Sequence, residues 1–177
     1  MRTDVVLRRL DEALLRRLSE AAVADADPSE VMPPVDGPEG WTRERRAAFV
    51  RFHRGRSLAA EPVETTCAVL VGTAVAGAAR LCPVEDAPHA VEAGVWIGRS
   101  HRGTGVGTAV FGLLLDLARD EGFTSLYVRT GPDNTAVHRL LAARGAGPVR
   151  TGGEFTAWIG LAAPVEGGGP ASARQRP

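Results

Sequence analysis

Residues 90–130 restrict the fold of this chain more than any other stretch. A β-rich run (90–98) leads into a glycine-dense turn (Arg102, Gly103, Thr104, Gly105, Val106, Gly107), then a helix to Glu121, then a second β-rich run (125–130). The helix carries Val106, Val110, Leu113, Leu114 and Leu117 on one stripe. A strand, helix, strand order of this length is a right-handed crossover, and it joins two parallel neighbours in a sheet.

The flanking patterns complete the sheet. Residues 5–9 read as a short strand that runs into an amphipathic helix over 11–23, with Leu10, Leu14 and Leu18 at helical spacing. Residues 25–40 are rich in proline, glycine and acids and read as a loop. Thr42 caps a second helix to about Arg56, whose expected inward face is Ala48, Phe49 and Phe52. Residues 64–71 and 75–81 form a hairpin across Gly72 and Thr73. A short helix over 134–144 closes at Gly145, and 149–150 with 154–161 make a terminal hairpin across Gly152 and Gly153. The expected class is α+β: a mixed, mostly antiparallel central sheet with one parallel pair and helices on both faces. Residues 1–161 make a single domain in this reading, and residues 162–177, dense in glycine and proline, a disordered tail.

Charge narrows the function. The 21 basic side chains, all arginine, balance 21 acidic ones across 177 residues. That balance leaves no net field to draw in nucleic acid or an anionic bilayer. No apolar run is long enough to span a membrane, and the amino terminus has no secretory leader, so a cytoplasmic protein is expected. Cys67 and Cys82 stand apart without a histidine at ligand spacing; both are expected to be reduced, buried thiols, and no metal is expected.

The turn before the helix can do chemistry. Alternating glycines let backbone N–H groups converge, and a helix amino terminus adds about half a positive charge, so the turn is an anion site unless it is merely tight. A triphosphatase loop would end in Gly-Lys-Ser/Thr, and the chain has no lysine. A dinucleotide fingerprint would need glycine or alanine at Thr108 and a carboxylate at a strand end about 20 residues on, and neither is present. A diphosphate ligand of another type fits better.

Residues 92–109, Glu-Ala-Gly-Val-Trp-Ile-Gly-Arg-Ser-His-Arg-Gly-Thr-Gly-Val-Gly-Thr-Ala, resemble the acyl-CoA site of the GCN5-related N-acetyltransferases (GNAT). The family signature Arg/Gln-x-x-Gly-x-Gly/Ala is met by Arg102, Gly105 and Gly107. The helix led by Asn134, the sole asparagine, is similar to the family's helix after the fifth strand. The amino-terminal strand and helix, with the hairpin ending Ala76-Gly77-Ala78-Ala79-Arg80-Leu81, look like the ribosomal-protein alanine acetyltransferase branch.

The resemblance implies an acetyl-CoA-dependent N-acetyltransferase acting on a primary amine, either a small molecule or a protein amino terminus. Transfer would be by direct attack in a ternary complex. It implies that the backbone of Val95, Trp96 and Ile97 pairs with the pantetheine arm. Arg102, Gly103, Thr104, Gly105, Val106, Gly107 and Thr108 would wrap the pyrophosphate, and Asn134, with His138 one turn on, would lie at the arm or its thiol end. Glu92 would be the general base, unless it is a partly solvated glutamate at a strand's start. The tyrosine that many relatives use as acid is replaced by Leu141, so either His138 substitutes or the thiolate leaves unaided. The ionisable side chains between Leu18 and Arg43 are all acidic (Glu20, Asp25, Asp27, Glu30, Asp36, Glu39) and would favour a cationic amine if they overhang the site. Trp41 and Trp158 are candidate walls of the amine pocket. The alternatives are a non-catalytic CoA-binding module and a nucleotide-binding protein; the oligomeric expectation is a monomer or homodimer.

Overall fold

A computed structural model describes residues 4–161 of the chain; the expected tail at 162–177 lies outside the described residues. The chain runs β1 (Val5–Arg9), α1 (Glu12–Asp25), α2 (Pro28–Val31), α3 (Arg43–Ser57), β2 (Thr65–Val71), β3 (Ala74–Val84) and β4 (Ala87–Ile97). It continues through a short 3-10 turn (Arg99–His101) to α4 (Val106–Asp120), β5 (Ser125–Thr130), α5 (Thr135–Ala142), β6 (Val149–Thr151) and β7 (Glu154–Gly160). One seven-stranded sheet has the order β1-β2-β3-β4-β5-β7-β6. Its pairings are antiparallel except for β4 with β5, where α4 is the crossover, so the fold is the mixed α+β architecture expected.

Both faces of the central strands are covered, which is why β2 reads as an almost unbroken apolar run. On one face α4 packs Val110, Leu114 and Leu115 against Val69, Val91 and Leu126, and Leu141 of α5 joins them. On the other, Leu14, Leu15 and Leu18 of α1 and Phe49 of α3 pack on Ala68, Leu70 and Ala78. The small residues of β2 and β3 bring the second layer close to the sheet. Caps fix where the helices begin: the Asp11 side chain accepts from Leu14 N, and the Thr42 hydroxyl from Arg45 N.

The structure departs from the sequence reading at four places. Residues 25–40 are not all loop, because Asp27 and Glu30 form a capping box around Pro28 and fold one helical turn, α2. Strands β3 and β4 run longer than expected and turn at residues 85 and 86. Pro83, which reads as a strand breaker, is accommodated by a bulge between Pro83 and Val84. The inward face of α3 is Phe49 and His53, four residues apart, whereas Ala48 and Phe52 are half-buried. Cys67 is buried, but Cys82 is only half-buried; both are free thiols.

Close approach of β3 and β4 depends on Gly77, which lies opposite Ile97. A Cβ there would run into the backbone carbonyl oxygen of Trp96, a group that cannot rotate away. Gly77→Ala should therefore lower unfolding free energy by about 2 kcal/mol, as overpacking of a tight interior does; urea denaturation measures it, and an unchanged midpoint would contradict the packing.

Candidate active site

The parallel pair is in register over only four steps, from Ala90 with Ser125 to Ala93 with Val128. Beyond that β4 continues to Ile97 along β3, while β5 turns to β7 and ends at Thr130. Backbone direction on the free stretch follows from one bond: Gly98 N donates to Ala76 O, so Gly98 faces β3. Successive residues of a strand point their N–H and C=O groups to opposite edges, so Ile97 and Val95 turn theirs away from β3, to the side that β5 has left. The Ile97 carbonyl on that side accepts Arg102 Nε at 2.8 Å. Val95 is the first residue beyond the paired segment to present both groups there.

At the end of β4 the chain is pinned to α1. The Asp25 carboxylate accepts the Ser100 amide at 3.1 Å and the Ser100 hydroxyl at 2.6 Å. Those bonds, the hydroxyl first, hold Asp25 below the usual carboxylate range. Gly98 is needed beneath them, since a Cβ would meet Asp25 Oδ2. The loop then reverses through Gly103 (φ 72°) and Gly105 (φ 84°), both in the left-handed region that favours glycine. Gly105 brings no side chain to cap α4. The first-turn amides of α4, Val106, Gly107 and Thr108, therefore have no intrahelical acceptor and point out of the helix end. Thr104 lies within this loop, its hydroxyl donating to His101 O at 2.7 Å.

Arg102 meets one of the acids expected to overhang the site, Glu30. Glu30 accepts both terminal nitrogens of Arg102 at 3.2 and 3.1 Å and lies 3.7 Å from Arg99. The Arg102 hydrogen bond pulls the Glu30 carboxyl below its ordinary range. Asp25 and Glu30 thus serve the loop instead of standing free above an amine, and Asp27 caps α2. Trp41 is half-buried and packs against the core, its Nε1 donating to Ala26 O and its ring edge-on to Phe49. Trp158 is exposed and packs tilted against Tyr127, ring centroids 4.9 Å apart.

Glu92 sits inside the paired segment opposite Tyr127 of β5. Its carboxylate lies 3.2 Å from Arg80 and 4.0 Å from Arg129 and is one-quarter exposed. Asn134 caps α5 at the carboxyl end of β5, its Oδ1 accepting from Val137 N at 3.3 Å. His138, on the first turn of α5, is held by its Nε2 contact with Gly131 O at 3.2 Å and packs edge-on against Phe155.

On the face of the sheet beneath α2 and α3 lies a cleft of about 350 Å³, lined among others by Glu30, Met32, Phe52, His53, Arg80 and Trp96. Gly94 and Val95 also border it, so it adjoins the free stretch of β4. His53 is 3% exposed, is clasped edge-on by Phe49 and Phe52, and neither ring nitrogen has a partner among the described residues. The Trp96 indole N–H is likewise buried and unpartnered. Below them Glu64, with its side chain fully buried, binds Arg56 at 2.8 Å and Arg80 at 3.5 Å and accepts the Thr66 hydroxyl. Sequence reasoning missed His53 and Glu64. The spacing of His53 from Phe49 was the available signal, whereas the arginine partners of Glu64 come from different elements and leave no local trace.

This chain belongs to the acetyltransferase (GNAT) family, whose model matches residues 27–146. Three solved structures show the same fold. YncA from Salmonella typhimurium, with its cofactor acetyl-CoA, is 18% identical with a TM-score of 0.64, over 96% of this chain and 99% of that one. Spermidine N-acetyltransferase from Vibrio cholerae, in complex with CoA and spermine, is 13% identical with a TM-score of 0.69, over 90% and 97%. RimL, a ribosomal L7/L12 alpha-N-protein acetyltransferase in complex with CoA, is 16% identical with a TM-score of 0.65, over 92% and 97%. No curated protein matches the sequence.

Burial pushes the His53 imidazole down to about 4 from 6.5, against the pull of the Glu64 charge, so it is neutral in the folded protein at pH 7. The unfolded chain takes up a proton at this position below pH 6.5 and the folded chain does not. Stability from this group is thus complete above pH 6.5 and falls as pH drops toward 4, by up to about 3 kcal/mol. His53→Phe should flatten the dependence of the melting temperature on pH between 6.5 and 4.5, and an equal slope in both proteins would contradict this assignment.

Proposed function

We propose that the protein is an N-acetyltransferase that moves an acetyl group from acetyl-CoA to a primary amine, by direct attack with both substrates bound. The observation that carries this reading is the free edge of β4 at Val95, which leads through one 3-10 turn into the glycine loop and the open amides of α4. An amide-containing arm can add to such an edge as a strand would, and a diphosphate can sit on a helix amino terminus. The backbone of Val95 and the Ile97 N–H would hold the arm, whereas Trp96, expected to share in this, turns its backbone groups to β3; residues 102–108 would hold the diphosphate. Arg102 is poised beside the loop, although its guanidinium is shared with Glu30 until an anion competes for it. Asn134 and His138 stand at the end of β5 on the far side of the opening.

Acetyl-CoA supplies an acyl group activated as a thioester. The Val95 N–H is aimed into the opening and stabilises negative charge that develops on a carbonyl oxygen there. Glu92, one quarter exposed, takes through water the proton that the attacking nitrogen gives up. Leu141 is fully buried in the core and offers no acid, so the sulfur departs as thiolate. A thiol with an ordinary pKa of about 8.5 can leave in this way.

Two substitutions test the two halves of the site. Gly105→Asp places an anion where the diphosphate would lie, on a backbone at φ 84°. It should weaken CoA binding by about 3 kcal/mol, as loss of a charge-assisted network with added repulsion does; calorimetry reads it, and unchanged affinity would remove the loop from the site. Glu92→Gln should slow turnover about a hundredfold, the low end for loss of a general base. The effect should be largest at low pH, where the amine is mostly protonated, with CoA affinity retained. Equal rates across pH would make Glu92 structural.

A further inference from the structure

The charges around the cleft decide what kind of amine it can hold, granted the transferase reading above. Each carboxylate near it already has two guanidinium partners: Glu30 has Arg99 and Arg102, Glu64 has Arg56 and Arg80, and Glu92 has Arg80 and Arg129. Arg129 also pairs with Glu154 at 3.6 Å, so five arginines face four acids. A second ammonium on the substrate would meet Glu30 already shared by two guanidinium groups and would approach Arg80, which lines the same cleft.

The unpartnered polar groups point the same way. Trp96 Nε1 can only donate. His53, neutral at pH 7 because of its burial, carries one N–H donor and one acceptor. A buried donor without a partner is destabilising, and a ligand oxygen that reaches it relieves that penalty. Two donors that line the same cleft as the Arg80 guanidinium fit an anionic oxygen better than a cationic group.

We infer that the cleft selects acceptor amines that carry a carboxylate, with Trp96 and His53 as the residues that discriminate. The carboxylate could belong to a free amino acid or to an acidic peptide; the chemistry is the same. Of the acidic stretch between Leu18 and Arg43, Asp25 and Glu30 are engaged at the loop and Asp27 at the α2 cap, which leaves these three unavailable to an ammonium.

The test uses the full chain with saturating acetyl-CoA and reads free thiol. L-Alanine, L-glutamate and the tripeptide Glu-Ala-Ala are compared with alaninamide and spermidine. The carboxylate-bearing amines should show kcat/KM about tenfold or more above the other two, the scale of one hydrogen bond to a charged group. Preference for the tripeptide over L-glutamate assigns the carboxylate to a polypeptide, and the reverse assigns it to a free amino acid. Trp96→Phe and His53→Phe should each erase the preference for L-alanine over alaninamide. The His53 variant, checked for folding by its thermal melt, should keep the CoA affinity of the parent. Equal or better use of spermidine or alaninamide overturns the inference, as does a preference that survives both substitutions. Titration with CoA alone separates the two levels: failure to bind CoA overturns the transferase reading, while CoA binding without selection among amines overturns only this one.

Discussion

The structure turns on the parting of β4 and β5. Two parallel strands that stayed in register to their ends would satisfy each other's backbone groups and leave nothing for a ligand. Here they separate after Ala93 and Val128, and each is held on its outer side by an antiparallel neighbour, β3 for one and β7 for the other. Those outer ladders let the gap exist without unravelling the sheet. The crossover through α4 then obliges the helix amino terminus to sit at the mouth of that gap, so free edge and open amides arise from one topological choice.

A second theme is the use of arginine as a connector. Arg102 ties the loop to α2 and to the last carbonyl of β4, Arg56 and Arg80 neutralise the buried Glu64, and Arg80 also reaches Glu92. A guanidinium can serve several acceptors in a plane, which an ammonium does less well. The network links the proposed cofactor loop to the floor of the cleft through α2, since Glu30 belongs to both.

Much of the fold could be read from the chain because its signals are local. The glycine turn, the α4 stripe and the caps at Asp11 and Thr42 each lie within a few residues of what they specify. The short α2 was hidden because proline and acid suggested a loop, although the Asp27 to Glu30 spacing of a capping box was present. The long β3–β4 hairpin was obscured by Pro83, which only a bulge makes tolerable. At the site, the glycine turn before α4 was legible from type and spacing, while the role given to Glu92 rests on the resemblance to the family. The engagement of Asp25 with Ser100, of Glu30 with Arg102 and of Glu64 with Arg80 was not, because those partners are far apart along the sequence and the sheet order alone brings them together.

The arginine belt around the cleft also bears on how such a protein keeps its own surface intact. An ammonium that loses its proton becomes a nucleophile, and beside an activated acyl group it would be modified in place of the intended acceptor. Guanidinium stays charged at any working pH and has no lone pair to offer. With not one lysine in 177 residues, the positive charge that organises this cleft is chemically silent toward the reaction proposed for it.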